Sequence, residues 1–298
     1  MPKGRSHFDD LEVGEGIKFI NTGLALPDLS PTSSSNPIEF IEGLPIILLV
    51  EDNPDIANYI ITYFKDIYNV EWAENGQVGI DTALAKIPDV IISDVMMPLK
   101  NGYQLCQELK TNELTSHISI ILLTVKSSDN NQIKGYEYGA DFYMTKPFTP
   151  QLLRLRIDNI IKHDREIAAK LQKFNINTNS VLATEASNLD KQFLERSMNL
   201  VIDNLSNSKF SVIDLAKGLD YSKGQLYRKL KSVINQSPNE YIRTIRLNQA
   251  ASLLKESQFN VSEITYKVGF NDLKYFRSCF KKQFGINPSE YKSSKISV

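Results

Sequence analysis

At 298 residues, 42% of them hydrophobic and 23% charged, the chain has material for about two domains, each with its own core. Its longest apolar run after Pro45 is Ile46 to Val50, far below the roughly 18 residues of a membrane span. Phe8-Asp9-Asp10 also stands where a secretory signal needs an apolar segment, so a cytoplasmic protein without direct membrane contact is expected. The net charge of −1 conceals a split: residues 187–298 carry 18 basic against 10 acidic side chains, a net +8, and the rest 16 against 25, a net −9, so only the second half suits a polyanion.

Residues 1–44 lack sustained periodicity and include SPTSSSNP (30–37), a composition that reads as linker. From Ile46 the pattern changes. PIILLV precedes a helix from Pro54, NVEW a helix from Gly76, DVIIS a helix from Gly102, ISIILL a helix near Asp129, and DFYM a helix from Thr149. Five strands alternating with five helices predict an α/β doubly wound domain over 45–163. Residues 164–186 are polar and rich in Asn and Thr, which reads as a second linker. Beyond them Leu194, Met198, Val201 and Leu205 recur at three and four, so 187–298 is predicted to be all helix. Cys106, Cys279 and the histidines His7, His117 and His163 form no metal or redox spacing and read as structural or incidental.

The stretch VIISDVMMPLKNG (90–102) runs a buried-strand pattern into Asp94. In open parallel sheets reactive groups collect past the carboxyl ends of the strands, where Glu51, Asp52, Thr124 and Lys146 also fall. If the first strand lies beside the third, three carboxylates converge with a hydroxyl and an ammonium opposite. Such carboxylates repel one another and call for a divalent cation, and hard oxygen ligands suit Mg²⁺. Asp94 could then act as a nucleophile toward phosphorus.

LLVEDNPD, SDVMMPLKNG, ILLT and TKPF resemble the signature segments of receiver domains in two-component response regulators, over roughly residues 45–163. The resemblance implies a flavodoxin-like five-stranded parallel sheet in which Asp94 accepts a phosphoryl group. It further implies that Asp52 is the main acidic Mg²⁺ ligand, helped by Glu51, Asp94 and the carbonyl of Met96. Thr124 and Lys146 would meet the phosphoryl oxygens, Tyr143 would be the aromatic switch, and Pro147 would follow a cis bond. Val125 departs from the small residue usual at its position.

In the basic half, SKGQLYRKLKSVINQSPNEY (222–241) finds an echo about 50 residues later in DLKYFRSCFKKQFGINPSEY. Each copy follows a short amphipathic helix and a turn. Ser222 with Gln225, Ser237 with Glu240 and Asn287 with Glu290 carry capping-box spacing. Two helix-turn-helix units joined by a long helix, about 238–256, resemble the AraC-type DNA-binding module. The base-facing side chains implied are Gln225, Tyr227 and Arg228 in the first recognition helix and Lys274, Tyr275, Arg277 and Ser278 in the second. Adjacent major grooves then predict a site of about 20 base pairs.

These readings make the chain a DNA-binding transcription regulator with a histidine kinase as phosphodonor. RNA polymerase is a further expected partner, and the phosphorylated form is expected to be a homodimer. The helix from Thr149 offers Arg154, Arg156 and Asp158 for charged pairing across a symmetric interface, or for a plain solvated face. Two alternatives stand beside this. Residues 1–20 resemble the end of a kinase ATP-binding domain, which would make the chain the regulator end of a hybrid sensor kinase. Otherwise the helical half docks a protein partner of a phosphotransfer component. Neither half carries residues for catalysis beyond its own phosphoryl transfer.

Overall fold

In β1 (Ile46–Val50) Ile47 and Leu49 face one side and Leu48 and Val50 the other, all fully buried, as a strand covered on both faces requires. The structure is a computed structural model describing residues 41, 43–125, 139–173 and 187–293. With β2 (Asn69–Ala73), β3 (Val90–Asp94), β4 (Ser119–Thr124) and β5 (Phe142–Thr145), β1 forms a sheet of order β2-β1-β3-β4-β5, parallel throughout. β1 thus lies beside β3, and the acidic ends of both strands open on the same edge.

Helices α1 (Pro54–Phe64) and α4 (Pro150–Lys173) cover one face through Ala57, Ile60, Phe64, Leu153 and Ile157. Helices α2 (Gly76–Lys86) and α3 (Gly102–Thr111) cover the other through Ile80, Ala83, Leu105 and Leu109. Asparagines start the first three: Asn53 accepts from the amides of Asp55 and Ile56, Asn75 from Val78, and Asn101 exchanges bonds with Gln104. Glycine opens α2 and α3 for a steric reason. A Cβ at Gly76 would stand 2.1 Å from the Lys100 carbonyl oxygen, and one at Gly102 would stand 2.4 Å from that of Asp94.

Helix α4 runs to Lys173, well into the stretch 164–186 expected as linker. Ile160, Ile161, Ile167 and Ala168 keep the helical spacing, and Ile167 packs against the core of the next domain. Residues 1–40 and 174–186, and the helix expected near Asp129, lie outside the described residues. No helix among the described residues is long and apolar enough to cross a membrane.

The second half is helical: α5 (Asn188–Asp203), α6 (Val212–Gly218), α7 (Lys223–Ile234), α8 (Pro238–Glu256), α9 (Val261–Lys267), α10 (Leu273–Phe284) and α11 (Pro288–Ser293). Two of the boxes read in the sequence form in full, Ser222 with Gln225 and Ser237 with Glu240; at the third, Asn287 donates its backbone N–H to Glu290 Oε2 and its side-chain amide to Oε1, both at 3.1 Å, so only the glutamate half is made. Helix α8 is apolar around most of its circumference because both units use it. Its first half gives Tyr241, Ile242 and Ile245 to a core with α5, α6 and α7; its second half gives Leu247, Ala250, Ala251 and Leu254 to a core with α9 and α10.

Candidate functional site

At the carboxyl edge of the sheet, Glu51 and Asp52 follow β1 and Asp94 ends β3. Each of the three offers an oxygen within 4.8 Å of the others. The Lys146 ammonium donates to Glu51 Oε2 at 2.8 Å and to Asp94 Oδ2 at 2.7 Å. A cis Lys146-Pro147 bond follows β5, and the Lys146 amide is tied to the Thr124 carbonyl at 2.7 Å. Burial raises the Glu51 carboxyl above its ordinary value, with Lys146 pulling the other way. Burial alone would lower the lysine, but its bonds to Asp94 and Glu51 outweigh this and leave it raised. The cluster therefore keeps Lys146 cationic and leaves one carboxylate, Asp52, facing solvent.

The remaining predicted residues surround these four. Thr124 is buried and follows Leu123, the register partner of Asp94. The Met96 amide donates to Asp94 Oδ1 at 3.2 Å, which fixes the loop that carries its carbonyl. Tyr143 packs against the core on the α2–α3 side, as Met97 and Tyr103 do. Val125, which follows Thr124, is 66% exposed. Sequence reasoning missed Trp72, whose indole N–H donates to the Glu51 carbonyl at 2.9 Å and anchors the acidic turn from the neighbouring strand. The only signal was a lone tryptophan on a strand.

The charged side chains on α4 find partners within their own chain. Asp158 accepts from the Tyr68 hydroxyl at 2.6 Å and lies 3.6 Å from Arg154, while the Arg156 guanidinium lies 5.2 Å from the centre of the Phe142 ring.

The two recognition helices differ. On α10, Lys274, Tyr275, Arg277 and Ser278 are all exposed on one face. On α7, Tyr227 is exposed, but Gln225 donates to the Leu84 carbonyl at 3.0 Å and Arg228 to the Ala85 carbonyl at 2.8 Å, both in the last turn of α2. Around this contact Arg196 of α5 pairs with both oxygens of Glu113 at 3.0 and 2.9 Å, and the Tyr221 hydroxyl donates to Glu113 at 2.7 Å. Deeper still, Lys229 of α7 is wholly buried. It donates to Asp190 of α5 at 2.5 Å and reaches His117 Nδ1, just before β4, at 2.9 Å. None of these partners was legible in the sequence, because each contact joins elements far apart in the chain, and all but Lys229–Asp190 join its two halves.

His117, expected to be structural or incidental, is structural, because it is part of the junction. An ammonium only donates, so Nδ1 must accept and the ring must be neutral with its proton on Nε2. Burial, then Lys229 and Lys110, hold its pKa well below 6.5. Asp190 and Ser116 face the same cluster, and Lys110 is itself paired with Asp141. A base with a depressed folded-state pKa contributes stability above its unfolded pKa and loses it as pH falls below that value. Stability is thus expected to decline below about pH 6.5, and His117→Asn to flatten that decline, in denaturant titrations at a series of pH values. An unchanged pH profile in the variant would contradict the assignment.

Two families match the chain. One, described as "Response regulator receiver domain", spans residues 47–158, and the other, described as "Helix-turn-helix domain", spans 215–294. A relative named histidine kinase P4, from Formosa agariphila, is 36% identical over 98% of this chain, which spans 22% of that protein's length. The probable transcriptional regulator ycf29 of Pyropia yezoensis is 37% identical over 56% of the chain and 74% of its own length. The transcriptional regulatory protein CiaR of Streptococcus pneumoniae is 35% identical over 44% of the chain and 55% of its own length.

Proposed function

Because the chain belongs to the response regulators, with a receiver domain followed by an AraC-type helix-turn-helix domain, we propose that it is a transcription regulator whose DNA binding is controlled by phosphorylation of Asp94. The observation that carries this is the convergence of Glu51, Asp52, Asp94 and Lys146 at one sheet edge of a chain whose other half bears an open basic recognition helix.

The donor is a phosphohistidine of a histidine kinase. An Asp94 oxygen attacks the phosphorus, the O–P bond forms as the P–N bond breaks, and the electron pair returns to the imidazole. Lys146 already touches Asp94, so its ammonium is placed to meet the charge of the new acyl phosphate. Thr124, at the end of the strand beside β3, supplies a hydroxyl to the same oxygens, and Tyr143, two residues before Thr124's register partner Thr145 on β5, is the side chain that responds. The donor set fits Mg²⁺: Glu51, Asp52 and Asp94 are hard oxygen ligands close enough to share one ion, and the Met96 carbonyl would complete the set. When bound, such an ion supplies positive charge that offsets the repulsion between carboxylate and phosphoryl group. The phosphorylated form pairs into a homodimer and presents the helical domains to DNA and RNA polymerase.

Incubation of the full chain with a small phosphodonor and Mg²⁺ is expected to add the mass of one phosphoryl group. Asp94→Ala is expected to abolish that gain, and Asp52→Ala or chelation to suppress it. Undiminished labelling of either variant would sink the assignment. Retention on heparin, falling with salt, separates DNA reading from a helical half that only docks a protein partner. The match to a histidine kinase over nearly the whole chain supports a second setting for the same chemistry, as the regulator end of a hybrid sensor. Immunoblotting for the size of the native polypeptide distinguishes the two.

A further inference from the structure

The middle of α8 carries a second fastening between the two helix-turn-helix units. Ile245 is the last α8 side chain in the first core and Leu247 the first in the second, and Arg246 stands between them, half-buried. Its guanidinium reaches both units at once. Nη2 donates to the Asn207 carbonyl, in the loop between α5 and α6, at 2.8 Å, and Nη1 donates to the Gly269 carbonyl, in the turn between α9 and α10, at 3.2 Å. Loop and turn also touch directly. Gly269 has φ +78°, and a Cβ there would stand 2.3 Å from the Leu205 carbonyl oxygen and 3.0 Å from Arg246 Cζ, so only glycine lets the turn close on the loop. Leu205 in turn packs against the second core. Gly269 lies four residues before Leu273, where α10 begins, so what holds this turn also sets how α10 leaves it.

Resting on the DNA reading above, we propose that Arg246 is a positioning residue for DNA recognition, a staple that fixes the angle between the two recognition helices before DNA arrives. In sequence it is one more arginine of a basic domain and would be counted among the phosphate contacts. The geometry assigns it elsewhere: each terminal nitrogen is engaged with a backbone carbonyl, and Nε is buried. Bonds from a charged donor are the stronger kind, and a planar fork can hold two carbonyls in one fixed arrangement. Two modules held at one angle give up little orientational freedom when the second engages, which raises its effective concentration on the duplex. A unit that binds alone gains nothing from the staple, and this asymmetry separates a positioning role from a contact.

The test uses the full chain with phosphodonor and Mg²⁺ present, and two duplexes. One is enriched from a random library on the wild type; the other is the same duplex with one half-site scrambled. Arg246→Met keeps the apolar stem and removes both bonds. It is expected to bind the enriched duplex about 10-fold more weakly than wild type, and the scrambled duplex as well as wild type does. Its dependence of log affinity on log salt is expected to keep the wild-type slope, whereas a lost phosphate contact would flatten that slope by about 0.9. Arg246→Lys keeps the charge and reaches one carbonyl, so it is expected to recover part of the loss; it also carries the comparison if Arg246→Met fails to fold. Amide hydrogen exchange is a readout free of DNA, and in Arg246→Met it is expected to speed up over residues 204–211 and 268–272 but not in α7. Equal weakening on both duplexes, a flattened salt slope, or unchanged affinity for the enriched duplex overturns the proposal. If the wild type enriches no duplex while exchange in the loop and turn still rises, the DNA reading itself has failed, and the positioning role built on it falls too.

Discussion

Asp190→Ala is expected to destabilise the folded chain by about 3–5 kcal/mol, the usual cost of leaving a buried charge without its counter-ion. Lys229, wholly buried, has this one carboxylate as its anionic hydrogen-bond partner; its other contacts are His117 Nδ1 and the Phe193 ring, 5.6 Å from the ammonium. Desolvation already lowers the lysine, with Asp190 opposing. Removing Asp190 forces the ammonium to deprotonate or the junction to open. Asp190→Leu combined with Lys229→Met should cost far less than Asp190→Ala, since replacing both ions of a buried pair by apolar groups is often neutral. Denaturant midpoints for the variants decide it: a loss under about 1 kcal/mol in Asp190→Ala would mean that the lysine is not charged in the folded state.

The second expectation separates the two recognition helices. In the unphosphorylated chain, Arg277→Ala is expected to weaken binding to an enriched duplex by about 1–3 kcal/mol, because α10 presents that side chain to solvent. Arg228→Ala is expected to cost little in the same state, because that guanidinium is engaged with the Ala85 carbonyl. After phosphorylation the two losses should become comparable. Titrations at one fixed salt concentration, with and without phosphodonor, make the comparison. Equal losses in both states would show that α7 reads DNA throughout.

The contrast between these residues also shows what the sequence could disclose. Asp94, Glu51, Asp52 and Lys146 were legible because each sits at the end of an apolar run, and a parallel sheet places all such ends on one edge. The starts at Pro54, Gly76, Gly102 and Pro238 were legible because caps are local, written within three residues of the helix they open. Lys229, Asp190, His117 and Glu113 were not. Glu113 and His117 meet partners that approach only when the two domains pack, Asp190 and Lys229 lie 39 residues apart on separate helices, and a lysine on a basic helix looks the same in sequence whether it meets solvent or a buried carboxylate. The extension of α4 was hidden for a related reason: its polar composition resembles a linker, and Ile167 shows its purpose only against the second core.

Helix α8 gives the DNA-binding domain a built-in interval. It contains 19 residues, about 28 Å at 1.5 Å per residue, and both cores are fastened to it. That length is of the order of one turn of B-DNA, about 34 Å. Because the separation is set by a hydrogen-bonded rod and not by a flexible tether, it cannot stretch to suit the operator. A base pair inserted between the two half-sites changes both their distance and their angle around the duplex, and the rod can follow neither. If both units read DNA as proposed, the domain would measure spacing as a caliper does, and the gap between two short sequences would be as much a part of the message as the bases within them.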